Sequence, residues 1–124
     1  MTSDDVVTWI EAYERAWRTP GTDELAAVFT EDASYLPSPW GEPINGLAAV
    51  GEFWEAGRDG PDEPFTMTAE VVAVDGDVAV VRAEVEYSAT GDRWRNLWVL
   101  RFAADGRCAE FEEWPFAPDR PDGR

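Results

Sequence analysis

The chain contains no histidine, no lysine and one cysteine, Cys108. Without histidine there is no Ser-His-Asp triad, no imidazole base and no histidine metal site. Without lysine there is no Schiff-base chemistry. One thiol can form neither an intrachain disulfide nor a thiolate metal cluster. Acid and base work is left to carboxylates, tyrosine and that cysteine. Long apolar runs are missing too: none reaches the length of a membrane span, and the N-terminus lacks the basic-then-apolar order of a signal peptide. The expectation is a cytoplasmic protein.

What is present is acidic and aromatic. The 124 residues carry 26 acids against 10 bases, all of them arginine, for a net charge of −16. Such a surface repels phosphate backbones and anionic membranes, and no basic stripe offsets it. Neither nucleic acid nor membrane is an expected partner. Hydrophobic content of 44% with seven tryptophans describes a folded chain of one domain.

Helical spacing comes first. Ser3 is read as the cap of a helix with Asp4 and Asp5 in its first turn and Val6, Ile10, Tyr13 and Trp17 along its apolar stripe, broadened by Trp9 and Ala16. Pro20-Gly21 ends it. Thr22 is read as the cap of a shorter helix facing inward through Leu25, Val28 and Phe29. A short strand follows at Ala33 to Leu36, then a proline-stiffened loop around Trp40. Asn45-Gly46 opens a third helix with Leu47, Val50, Phe53 and Trp54 on one side. A polar connection, Gly57 to Pro64, leads to period-two segments at Phe65 to Val74, Val78 to Ser88, Trp94 to Phe102 and Cys108 to Phe116. The tail from Ala117 reads as frayed. Helices first and an antiparallel meander afterwards make an α+β plan, with three helices covering one face of a curved sheet.

The stretch Trp94 to Phe116 carries the most information. Asp105-Gly106 suits a type I′ hairpin turn, whose central residues both need positive φ. With that pair central, Phe102, Leu100 and Trp98 face Ala109, Phe111 and Glu113. Trp94, Asn96, Trp98, Leu100, Phe102, Phe111 and Glu113 then share one aromatic face holding a single acid. The opposite face carries Arg95, Arg101, Glu110 and Glu112 beside Leu97, Val99 and Trp114. Glu84 and Glu86 are expected to pair with Arg95 and Arg101, and these with Glu110 and Glu112. Cys108 falls on this outer face by parity. So much apolar surface among the charges suggests a homodimer that buries it.

The candidate site residues follow from that geometry. Glu113, desolvated in a pocket, would have a raised pKa and serve as general acid or base. The plainer alternatives are a solvated side chain or a structural acceptor for an indole N–H. Tyr13 is read either as a donor to a ligand or to Glu113, or as ordinary core packing. Asn96 orients a polar ligand group or bonds backbone near Pro115. Trp17, Trp54 and Trp98 line a cavity for a flat apolar ligand, with Tyr35 and Trp40 at its mouth, or else fill the core themselves. Neither a metal nor an organic cofactor is called for; Glu31-Asp32 lacks the spacing of a calcium loop.

The segments AYERAW, ELAAVFTEDASY, NGLAAVGEFW and the hairpin LWVLRF-AADGRCAEFEEW resemble the nuclear transport factor 2-like superfamily, and within it the SnoaL-like proteins. The resemblance spans about residues 5 to 116. It implies a cone-shaped α+β barrel with a hydrophobic small-molecule pocket between helices and sheet, and dimerisation through the outer face. Chemistry transfers poorly. Tyr13 matches the tyrosine of ketosteroid isomerase, but Pro37 stands at its base position and Trp98 at its second oxyanion donor. Glu113 matches the last-strand acid of limonene epoxide hydrolase, whose arginine has no inward counterpart here. The His-Asp pairing of SnoaL-type cyclases cannot form. The fold serves isomerases, dehydratases, cyclases and plain binding proteins alike.

Overall fold

A computed structural model describes residues 1–57 and 63–123. Most of the polar connection read at Gly57 to Pro64 lies outside the described residues.

Helix α1 (Ser3–Arg18) is capped by Thr2 and not by Ser3. Thr2 Oγ1 accepts the Asp5 amide at 3.2 Å, and the Asp5 carboxylate accepts the Thr2 amide at 2.9 Å. This capping box satisfies two otherwise orphaned donors. Val6, Trp9, Ile10, Tyr13 and Ala16 form the buried stripe. Helix α2 (Leu25–Val28) is a single turn. Thr22 gives it no side-chain cap; its carbonyl accepts the Leu25 amide at 3.2 Å.

Strand β1 (Phe29–Leu36) starts earlier than its pattern suggests, and β2 (Ile44–Asn45) is a two-residue partner absent from the sequence reading. Between them, Ser38 to Gly41 close a turn through a 3.0 Å bond from the Gly41 amide to the Ser38 carbonyl. Helix α3 (Leu47–Gly57) follows Gly46, whose φ of +92° explains why glycine stands there.

Strands β3 (Phe65–Asp75), β4 (Val78–Tyr87), β5 (Arg93–Phe102) and β6 (Cys108–Phe116) pair as antiparallel neighbours. The six-stranded sheet runs β2-β1-β6-β5-β4-β3 and stays open. It is mixed, because β1 lies parallel to β6. The helices cover one face, and the core between them includes Trp9, Phe29, Trp54, Trp98, Leu100 and Phe111. The Trp9 indole is satisfied by the Val28 carbonyl at 2.9 Å. Beyond β6, backbone bonds from Arg120 to Ala117 and from Gly123 to Arg120 make two turns.

The β5–β6 register corrects two sequence expectations. Trp98 does face Glu113 and Leu100 faces Phe111, but Phe102 faces Cys108, with a bulge after Arg101. Among the described residues none but glycine has positive φ, which excludes a type I′ turn at Asp105-Gly106. The Gly106 amide instead reaches the Ala103 carbonyl at 3.0 Å, and Gly106 alone takes a φ of +90°. That is a longer hairpin loop with glycine at the bulge position. The extra residue reverses parity before Glu110, so Cys108 is wholly buried in the core and not on the outer face.

Outer-face charges pair as the register dictates. Arg95 meets Glu84 at 3.1 Å, and Arg101 meets Glu110 at 3.2 Å and Asp77 at 3.1 Å. Glu86 faces Arg93, and Glu112 faces Val99. With no arginine opposite, Glu112 accepts the Trp114 indole N–H at 2.7 Å.

Candidate functional site

A cavity of about 310 Å³ opens between α1, α3 and the inner face of the sheet. From α1 come Tyr13 and Trp17; from β1, Tyr35; from α3, Phe53 and Trp54. The sheet adds Phe65, Met67, Val85, Tyr87, Trp94, Asn96, Trp98 and Glu113, with Pro37 and Pro115 at the edges. Nine of the sixteen lining residues are aromatic, and one, Glu113, is charged. Its volume is at the small end of ligand sites, which run from about 300 to 1,000 Å³.

Seven of the eight residues named from the sequence, namely Glu113, Tyr13, Trp17, Tyr35, Trp54, Asn96 and Trp98, line this one space. Trp40 does not. It is 99% exposed at the tip of the Ser38–Gly41 turn, where Pro39 and the turn geometry direct it outward. Phe53, Phe65, Tyr87 and Trp94 also line the cavity but are not among those eight. For Trp94 and Tyr87 strand parity carried the signal, since both alternate in step with inward residues of their own strands. For Phe53 and Phe65 nothing in the local pattern separates a wall from a core position.

Glu113 is half-buried by surface area but crowded closely by protein. Desolvation pushes its carboxyl up to about 7, against a smaller opposing effect from the Trp98 indole, which donates to Oε2 at 2.8 Å. Tyr13 and Tyr35 are deeply buried and their hydroxyls are held well above the usual tyrosine range, by desolvation first and by nearby acidic groups including Glu113. Both therefore stay neutral donors. Tyr13, Tyr35 and Trp54 lie side by side in this wall. Trp17 Nε1 donates to the Tyr87 hydroxyl at 3.2 Å. Asn96 is 9% exposed, and its Oδ1 is a buried acceptor with no protein partner among the described residues.

Two larger surface grooves hold no comparable group. One, of about 720 Å³, runs from Met1 to the β5–β6 loop, and its Asp5 and Asp105 are already held low by hydrogen bonds from Thr2 and Arg107. The other, of about 470 Å³, lies under the C-terminal turns beside Arg93 and Arg95. Among the described residues no cluster of Asp, Glu or Cys gathers where a metal ion could be held, and no helix is long and apolar enough to cross a membrane.

Residues 10–111 match the family model of the SnoaL-like domain. Curated proteins yield no match. Among solved structures, a nuclear transport factor 2-like protein of unknown function from Silicibacter pomeroyi is 20% identical, with a TM-score of 0.64 over 94% of this chain and 100% of that one. The epoxide hydrolase/cyclase-like enzyme SalBIII, of pyran ring formation in the polyether salinomycin, is 17% identical with a TM-score of 0.72 over 94% and 95%. A steroid delta-isomerase from Pseudomonas aeruginosa is 16% identical with a TM-score of 0.65 over 94% and 83%. At such identities these likenesses establish the fold alone. With the family match spanning most of its length, the chain belongs to the SnoaL-like domain family.

Proposed function

We propose that this protein binds a small, largely apolar molecule in the aromatic cavity and exchanges a proton with it through Glu113. The observation that carries the reading is a lone carboxyl in an aromatic cavity, with its pKa raised to about 7. At neutral pH such a group is populated in both forms and can give or take a proton. Isomerase, dehydratase and cyclase chemistry all need that step. The Tyr35 hydroxyl, kept neutral by burial, can polarise a ligand oxygen, with Tyr13 beside it.

A non-catalytic binding module is the second reading. One observation favours it: no second lining carboxyl among the described residues complements Glu113. The outer face supports a further part of the proposal. Leu97 and Trp114 oppose each other across β5 and β6 and stay 38% and 40% exposed. A second copy of the chain laid on this face would bury them.

Carboxyl NMR titration of the wild type and Glu113→Gln tests the acid. The expected result is one carboxyl titrating near 7 that the substitution removes. Titration of Glu113 near its ordinary value of 4.5 would end the proton-transfer reading.

A further inference from the structure

We propose that the ligand is an organic cation: a small amine with an apolar, preferably aromatic, body, its protonated nitrogen seated at Glu113 and Asn96. This rests on the reading of the cavity as a small-molecule site and goes beyond it by naming the charge of the occupant.

Three independent features of the wall point the same way. Its one charged side chain is acidic, Glu113, and beside it the Asn96 Oδ1 is a buried acceptor without a protein donor among the described residues. No arginine is among the described residues that line it. An anionic ligand would find no arginine among those lining residues, whereas an ammonium brings N–H donors to the unpartnered Asn96 Oδ1. The remaining wall is aromatic, and ring faces attract cations. The rim already shows this preference, for the Arg18 guanidinium lies 3.9 Å from the centre of the Phe65 ring. That arginine is also paired with Glu14 at 2.8 Å.

The register brings the two acceptors within one ligand head. Asn96 faces Pro115, and Trp98 faces Glu113, so Asn96 and Glu113 are diagonal neighbours on one sheet face. Such neighbours sit roughly 7–8 Å apart at the backbone, within reach of a shared ammonium. The net charge of −16 further raises the local concentration of cations around the molecule.

Protons balance on binding. A neutral amine meeting the protonated carboxyl takes its proton and leaves an ammonium-carboxylate pair; an ammonium meeting the protonated carboxyl displaces that proton to water. Amine affinity therefore rises as pH increases through about 7. The groups facing Glu113 are Tyr13, Tyr35, Tyr87 and the Trp98 indole. Tyr13 and Tyr35 stay neutral throughout that range.

The test uses two probes of matched shape, phenethylamine and 2-phenylethanol, titrated calorimetrically into the full chain at pH 8 and pH 6. At pH 8 the amine should bind at least about tenfold more tightly than the alcohol. That preference should shrink at pH 6 and disappear in Glu113→Gln. Equal or tighter binding of the alcohol by the wild type would overturn the cation proposal and leave the cavity as a site for neutral molecules. Failure of both probes at millimolar concentration would overturn the cavity reading and the cation proposal with it. The wild-type comparison decides the matter even if the variant does not fold.

Discussion

The indole N–H of Trp98 donates to Glu113 Oε2 at 2.8 Å, across facing positions of β5 and β6. This bond favours the ionised carboxylate and works against the desolvation that favours the acid. Trp98→Phe keeps a ring in place and removes the donor. The pKa of Glu113 should then rise above the wild-type value of about 7, as read by carboxyl NMR. The smaller ring should also cost about 1–3 kcal/mol of stability, read by denaturant unfolding. A fall in the pKa would mean that Trp98 mainly buries Glu113 and does little through its N–H.

The same carboxyl ties stability to pH. Its folded pKa lies near 7 and its ordinary value is 4.5, so between those limits the native state holds the proton that the unfolded chain has released. Stability contributed by the protonated form is full below the lower value and declines as pH rises to the higher one. At about 1.4 kcal/mol per pH unit the loss is roughly 3 kcal/mol. Glu113→Gln should abolish that slope and be the more stable chain at pH 8. Parallel wild-type and variant curves from pH 4.5 to 7.5 would place Glu113 in water.

Self-association is tested on the outer face. Leu97→Glu puts a charge opposite Trp114, in a face already rich in carboxylates. A wild-type dimer measured by light scattering should become a monomer, with unchanged circular dichroism. A wild-type monomer at micromolar concentration would leave the face uncovered by a second copy.

Cys108 offers a probe of the core. Burial pushes its thiol up to about 12, and its Sγ lies 3.1 Å from the Glu110 carbonyl. The folded chain should resist thiol reagents at pH 8 and react fully in denaturant. Rapid labelling under native conditions would show that the β5–β6 bulge opens readily.

The sequence shows where physical pattern ends. Strand parity placed Glu113 opposite Trp98 and on the side of Asn96, because alternation leaves only two choices per strand. The same rule misplaced Cys108, since Asp105-Gly106 does not reveal how many residues the loop holds. Helix periodicity found Tyr13 and Trp17, but it could not tell that Thr2, one residue earlier than Ser3, closes the capping box. Trp40, expected at the cavity mouth, instead lies at the tip of a turn with proline ahead of it, which sends the ring into solvent. The parallel pairing of β1 with β6 had no local signal, because it joins residues far apart in the chain.

That pairing has a consequence for how the molecule is made. Strand β6 follows every other strand in sequence yet sits between β1 and β5. Until it emerges from the ribosome, the sheet is two separate pieces, and the helices have only part of a surface to rest on. The strand that joins them also carries Glu113. A chain stopped before residue 108 would therefore not be an inactive version of the folded protein; it would lack the keystone of the fold and the acid of the site in one stroke.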